Sequence, residues 1–309
     1  MPRFLLVVSL ALGSLLAFGL PLRAADTGFP AEITQFQPYA NNPVFTAGEP
    51  GEWDAAIRER GWILRDGDSW RLWYTGYDGT RTGRRMLGLA TSTDGIHWTR
   101  HSDNPIYDAG WVEDVMVVPH DGRLYMFAEG ERDQAQLLVS DDGIRWKRIG
   151  PLDIRLTTGE PIPPGPRGTP VAFFEKGRWH LFYERRDAGI WLATSTDMQV
   201  WTNVSDDPVL SPGPGDYDCS RIALNQILKH NGRYYGLYHG TDDRDSPALW
   251  TSNLAVSDDL RTWTRYDGNP LFPKATNRSS NLLVPTGPDS FRLYTMHGRV
   301  EMFLPAVQP

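Results

Sequence analysis

Short apolar runs separated by polar turns fill almost the whole chain, and within the runs side chains alternate with the two-residue period of strands. One unit recurs. An aliphatic run comes first, a glycine beside Asp, Asn or Lys breaks it, and an aromatic-rich alternating run follows. Gly61 to Leu64, the turn Asp66-Gly67 and Trp70 to Tyr74 form the first pair. Val115 to Val118, Asp121-Gly122 and Leu124 to Phe127 form the second, and Val171 to Phe174, Lys176-Gly177 and Trp179 to Tyr183 the third. Ile222 to Leu228 with Asn231-Gly232 and Tyr234 to Tyr238, then Leu282 to Val284 with Phe291 to Tyr294, complete the set. Glycine beside a short polar residue supplies the positive φ that a tight hairpin needs.

Four of the five units end alike. Ser92-Thr93-Asp94-Gly95-Ile96-His97-Trp98 returns as Ser140 to Trp146, Ser195 to Trp201 and Ser257 to Trp263, with the aspartates at 94, 142, 197 and 259. Sheet-forming repeats of roughly 50 residues predict a radial array of small sheets, an all-β, five-bladed β-propeller. The endings read as scaffold: Ser and Asp bond the turn's own backbone, and Trp packs between neighbouring sheets. They resemble the Asp-box of sialidases, although they lack its residue between Asp and Gly, and two copies have no Gly. A second phrase, Asn104-Pro105-Ile106-Tyr107, follows the ending and recurs as Asp207 to Leu210 and Asn269 to Phe272. Asn42-Pro43-Val44-Phe45 is the same phrase with no blade before it. Residues 31–45 are therefore expected to supply the outer strand of blade five and close the ring.

Composition adds a leader and a sign of charge. Met1-Pro2-Arg3, an apolar run over 4–20 and the small residues Ala24-Ala25 read as a secretory signal peptide over residues 1–25, followed by one propeller domain over 26–309. The expected location is secreted or periplasmic. Without Arg3 and Arg23 the chain carries 29 basic and 38 acidic residues, a balance that argues against nucleic acid and anionic membranes as partners. Cys219 is the only cysteine, so no intrachain disulfide forms. No zinc motif, phosphate-binding glycine loop or serine elbow is present, and no cofactor or metal is expected. A monomer is expected.

In a propeller the first strand of each blade lines the channel, and its start faces the funnel. Each of these starts is polar here: Trp53-Asp54 to Arg58-Glu59-Arg60, Trp111-Val112-Glu113-Asp114, Arg167-Gly168-Thr169, Asp218-Cys219-Ser220-Arg221 and Arg278-Ser279-Ser280-Asn281. Here, and in Trp73-Tyr74-Thr75-Gly76-Tyr77-Asp78, Gly88-Leu89-Ala90-Thr91-Ser92 and Asn104-Pro105-Ile106, the chain resembles the five-bladed propeller glycosidases of glycoside hydrolase families 43, 32 and 130. The likeness covers nearly all of residues 26–309. It implies an oligo- or polysaccharide substrate and acids on the first strands of the early blades. Glu59 and Asp114 match the blade-one and blade-two positions, without the proline those families carry beside them. Glycoside cleavage needs such a pair, one carboxyl group to protonate the leaving oxygen and one to activate water or attack.

The resemblance breaks at blade three, where families 43 and 32 place a general-acid Glu and this chain has Gly168-Thr169-Pro170. Glu160, Glu129 and Glu184 are the substitutes within reach; the last two end their second strands, where blade four has His239. Glu59, Asp114 and Glu184 are the catalytic candidates. Glu113 is expected on the opposite face from Asp114, because strand side chains alternate. Arg58, Arg167, Arg221 and Arg278 sit at one depth in four blades and either converge on an acidic sugar or phosphate, or pair with the funnel acids. Trp53 and Trp111 are candidate sugar-stacking residues, and Glu113, Glu129 and His239 candidate substrate contacts. The loop 156–168 is expected to lie over the funnel. The competing reading is a propeller that binds glycan or protein without catalysis, or a glycoside phosphorylase.

Overall fold

The computed structural model describes residues 28–306; the proposed signal peptide lies outside them. Five small sheets are present, and four of them hold the strands of one sequence unit each. Blade one is Ala56–Asp66, Ser69–Tyr77, Met86–Ser92 and Thr99–Arg100, paired antiparallel in that order. Blades two and four follow the same order, starting from Glu113–His120 and Arg221–His230. Blade three, starting at Val171–Glu175, gains Asp153–Arg155 as a parallel fifth strand beside Val200–Asn203.

The fifth sheet contains Asn281–Gly287, Ser290–Met296 and Val300–Pro305, and its outer strand is Phe36–Pro38 from the start of the chain. The expected closure is therefore present. Asn42 explains the shared phrase: its Nδ2 donates to Met302 O at 2.7 Å and its Oδ1 accepts from Met302 N at 2.8 Å. Asn104 and Asn269 grip Leu89 and Leu254 in the same two-bond manner. In each case one amide side chain replaces a missing strand neighbour.

The repeated endings act as scaffold. Asp142 Oδ1 accepts from the backbone N–H groups of Ile144 and Arg145 at 2.9 and 2.8 Å, while Ser140 Oγ caps Gly143 N at 2.8 Å. The carbonyl of Gly143 accepts from Trp73 Nε1 of blade one at 2.8 Å, and that of Gly95 from Tyr294 Oη of blade five at 3.0 Å. Each turn is thus pinned to the blade before it. Of the loop expected over the funnel, Pro166 reaches the funnel wall, while the part before it wraps blade three: Ile162 N donates to Ile154 O at 3.2 Å, and both side chains are buried beside Trp201. Ile162 is the cause, since its apolar side chain gains more from that outer core than from the polar mouth.

One side chain runs through the middle. Arg60, on blade one, is fully buried, and its guanidinium donates to Asp114 O (2.5 Å) of blade two, Pro170 O (2.9 Å) beside blade three, and Leu224 and Asn225 O (3.2 and 2.9 Å) of blade four. Burial lowers its pKa to about 10, which leaves it charged at neutral pH. The next residue, Gly61, has no side chain because a Cβ there would lie 2.6 Å from Trp73 O and 3.0 Å from Met296 Sδ of blade five.

Two stability outcomes follow. Deleting residues 26–45 removes the outer strand of blade five and the buried Ile33 and Phe45; at about 1.5–3 kcal/mol for each large apolar side chain the melting temperature should fall by about 10 °C. A truncated chain melting within a degree or two of the parent would contradict ring closure. Arg60→Met leaves four buried carbonyls without donors and should cost about 3 kcal/mol or more in urea unfolding.

Candidate active site

The starts of the inner strands do not run as regular strands. Pairing slips between Arg58 and Trp62, between Glu113 and Met116, and between Leu224 and Gln226. Glu59, Asp114, Thr169 and Ser280 hold positive φ angles of 55°, 49°, 46° and 52°. Non-glycine residues in this region cost of order 1–3 kcal/mol and cluster at functional sites. Such a bulge breaks the alternation of faces. Glu113 and Asp114, expected on opposite faces, accordingly line one cavity together.

That cavity, about 510 Å³, sits at the funnel end of the propeller. All three catalytic candidates, Glu59, Asp114 and Glu184, line it, as do Glu113, Glu129 and His239. Seven carboxylates in all face it against three arginines, Arg58, Arg186 and Arg221.

Gly168, where a blade-three acid is missing, organises two of these acids. Its N–H donates to Glu184 Oε1 at 2.7 Å, and the N–H of Thr169 donates to Glu129 Oε2 at 2.9 Å. A Cβ at position 168 would lie 2.5 Å from the first oxygen and 2.4 Å from the second. Glycine is required here so that carboxylates from the second strands of blades two and three can meet above the backbone.

Burial governs the charges. It raises Glu184 to about 7, helped by the nearby charge of Asp187 and opposed by the N–H groups of Asp187 and Gly168. Asp187 rises to about 6 for the same reason, with Arg221 pulling it back. Asp114 and Glu129 are pushed well above the carboxylate range by burial; the charge of Glu59 adds to the first and that of Asp114 to the second. Glu113 is also raised by burial, against the 2.9 Å bond from Trp111 Nε1 and the charge of Arg58. His239 falls to about 3, because burial and the cation Arg60 disfavour its charged form. Its Nδ1 bonds Asn225 Oδ1 at 2.9 Å; a carbonyl-type oxygen only accepts, so Nδ1 carries the proton and Nε2 is left as an acceptor.

The four arginines do not converge. Arg58 Nε lies 2.6 Å from Glu59 and 3.5 Å from Glu113. Arg221 is paired with Asp243, and Arg278 Nε bonds Glu301 at 2.7 Å in a neighbouring hollow. Arg167 is fixed by backbone bonds to Asp133 and Ala135, and its charge acts on Asp153 and Tyr183, away from the funnel. Arg58, Arg221 and Arg278 are each drawn to a carboxylate beside them, whereas Arg167 Nε is buried without a partner. The two tryptophans also work away from the mouth: Trp53 packs over Gly76, Gly88 and Tyr74, and Trp111 holds Glu113. Asp54 and Asp218, polar starts of blades one and four, are buried staples that accept from Tyr74 and Tyr238 Oη, each at 2.9 Å.

Sequence reasoning overlooked Asp133, Asp187 and Trp250, all on the cavity wall. A signal existed for the first two: Arg132-Asp133 and Arg186-Asp187 recur after the second strands of blades two and three, both pairs at positive φ. Trp250 gave none. It lies in an irregular loop, where it packs edge-on against His239 at 5.0 Å with Arg221 4.7 Å over its ring.

No protein-family model matches the chain. Two uncharacterised Mycobacterium tuberculosis proteins, MT1551 and Rv1502, are each 25% identical over 217 residues, covering 64% of this chain and 72% of theirs. Among solved structures, a glycosyl hydrolase from Bacteroides ovatus superposes with a TM-score of 0.70 at 18% identity, covering 89% of this chain and 94% of that one. The α-L-arabinofuranosidase PaAbf62A from Podospora anserina, solved with cellotriose, gives 0.64 at 11% identity, with 89% and 97% covered.

Because the raised carboxyl groups hold protons that the unfolded chain releases, folding takes up protons over the interval between their unfolded and folded pKa values. For Glu184 that window runs from 4.5 to about 7. Stability should therefore fall as pH rises through it and level off above, and Glu184→Gln should flatten the fall in urea titrations at pH 5, 6 and 7.5. At such identities these likenesses show architecture alone: the chain has the five-bladed β-propeller fold found in these glycoside hydrolases.

Proposed function

We propose that this protein is a carbohydrate-active enzyme, a glycoside hydrolase that works with carboxyl groups of the funnel. The observation that carries the reading is Glu184, a buried carboxyl group with a pKa of about 7, on the wall of the cavity that also holds Glu59 and Asp114. A general acid works best with its pKa near the working pH. Glu184 protonates the departing glycosidic oxygen; Glu59, positioned by Arg58, serves as base or nucleophile. Asp114 accepts from Arg60 N at 3.3 Å, and its charge is coupled to that of Glu59. The excess of acids over arginines, and the pairing of Arg58 and Arg221 within the protein, support a neutral sugar ring in the funnel itself. The apolar, basic-start segment over residues 1–25 supports export of the chain.

A second reading has one observation in its favour. Both oxygens of Glu184 accept backbone N–H groups, from Gly168 and Asp187, as a purely structural staple would. In that case the funnel binds glycan without cleaving it.

Kinetics on oligosaccharides and on aryl glycosides with the same sugar separate the two. Glu184→Gln should lower kcat on oligosaccharides by about 10² to 10⁴-fold and far less on dinitrophenyl glycosides, whose leaving group needs no proton. The alkaline limb of kcat/KM near pH 7 should vanish with it, since a general acid loses function as pH rises through its pKa. Asp114→Asn should be similarly impaired while remaining folded. No activity from the parent on any glycoside would leave the binding reading, and activity equal in parent and variants would remove Glu184 and Asp114 from the catalytic set.

A further inference from the structure

Next to the funnel, and sharing Ser279 and His297 with it, lies a second hollow of about 310 Å³ over blade five. Its charge is opposite in sign to that of the funnel. Glu301 is the one carboxylate that lines it, and two arginines, Arg278 and Arg299, divide that carboxylate between them at 2.7 and 2.9 Å. One positive charge is left over. Each guanidinium uses a single N–H on Glu301, so both keep donors free for a further acceptor. Arg278 also lies 5.3 Å over the ring of Phe303 and 5.7 Å over that of Phe272, which holds its fork in place. Arg299, with 59% of its side chain exposed, is open to solvent.

We propose that this hollow is a second sugar subsite, one that takes a uronate residue adjoining the ring held in the funnel and clamps its carboxylate between Arg278 and Arg299. It deepens the hydrolase reading and rests on it only for the neighbouring ring. Planar carboxylates match the guanidinium fork, and each arginine has committed only one N–H to Glu301. The funnel supplies the other half of the selection. Its seven acids outnumber its three arginines, and those that stay ionised repel an acidic ring there, so an oligosaccharide with one neutral and one uronic unit has a single favourable register: neutral ring in the funnel, uronate over blade five. The substrate class is therefore an acidic heteropolysaccharide cut next to a uronate.

The test uses the full chain on a panel of immobilised oligosaccharides: uronate-bearing, the same glycans with carboxyl groups reduced to alcohols, sulfated, and neutral. Uronate-bearing glycans should be retained at least about tenfold better than their reduced counterparts, with a preference that declines as salt rises. Arg299→Ala should erase that preference, Arg299→Lys should restore part of it, and Glu301→Gln, which removes the competing anion, should strengthen it. Retention equal for reduced and native glycans, a preference for sulfated glycans alone, or indifference to Arg299→Ala would overturn the proposal. Uronate binding without cleavage by the parent would uphold the subsite and sink the hydrolase reading. Cleavage of neutral glycans with no uronate preference would do the reverse.

Discussion

Five sheets arranged around an axis leave a problem at the centre, since the inner strand of every blade is an edge strand with carbonyl groups aimed at a narrow channel. Arg60 answers it for three blades with one side chain. A guanidinium carries only donors, so it can answer several carbonyls at once and demands no acceptor-side balance from its surroundings. Lysine would offer a point charge without the planar reach, and a hydrocarbon would leave the carbonyls unpaired. The cation also sets the electrical floor of the funnel. It opposes the rise in the pKa of Asp114 and suppresses protonation of His239, so the scaffold and the chemistry above it share one charge.

Carboxyl groups in this protein divide by surroundings. Asp142, near the surface and bonded to the N–H groups of Arg145 and Ile144, is held to about 2. Glu184 also accepts two N–H bonds and yet rises to about 7, because burial outweighs them. Asp142 has in addition the Ser140 hydroxyl at 3.1 Å and the Arg145 guanidinium at 2.7 Å, and it keeps the access to water that Glu184 has lost. Turn aspartates such as Asp142 are thus anions that stabilise loops, and the buried funnel acids Asp114, Glu129 and Glu184 are proton reservoirs.

The architecture was legible because a repeat states its fold many times: five strand pairs, four endings that share Ser, Asp and Trp at one spacing, and one orphaned Asn-Pro phrase that located the closing strand. The site was legible in part. Glu59, Asp114 and Glu184 share a cavity as expected, since equivalent positions in equivalent blades must reach equivalent depths. Glu113 escaped because face alternation holds only for unbulged strands, and the left-handed residue at Asp114 turns two successive acids the same way. Convergence of arginines failed for a different reason. Spacing along a chain fixes depth in the blade, whereas the direction of a long flexible cation is set by the nearest acid, and Asp243 and Glu301 come from strands and loops that no spacing rule connects to Arg221 or Arg278. Gly168 was read as an absence, although a missing side chain was what the two flanking acids needed.

Ring closure has a kinetic side. Asn42 and Met302 are 260 positions apart, and Phe36–Pro38 has no partner strand until Val300–Pro305 has been made. On a chain growing from its first residue, that opening segment must wait, unpaired, through the synthesis of every blade. Folding of the last sheet is therefore a long-range loop closure, limited by the search of one segment for the other, and searches of this kind are slow. By the same logic Gln35 and Ala306 lie side by side once the search is over. Joining them with a short linker and opening the chain in a turn between two blades would make the closing strand local, giving a circular permutant of the same shape that reaches it sooner.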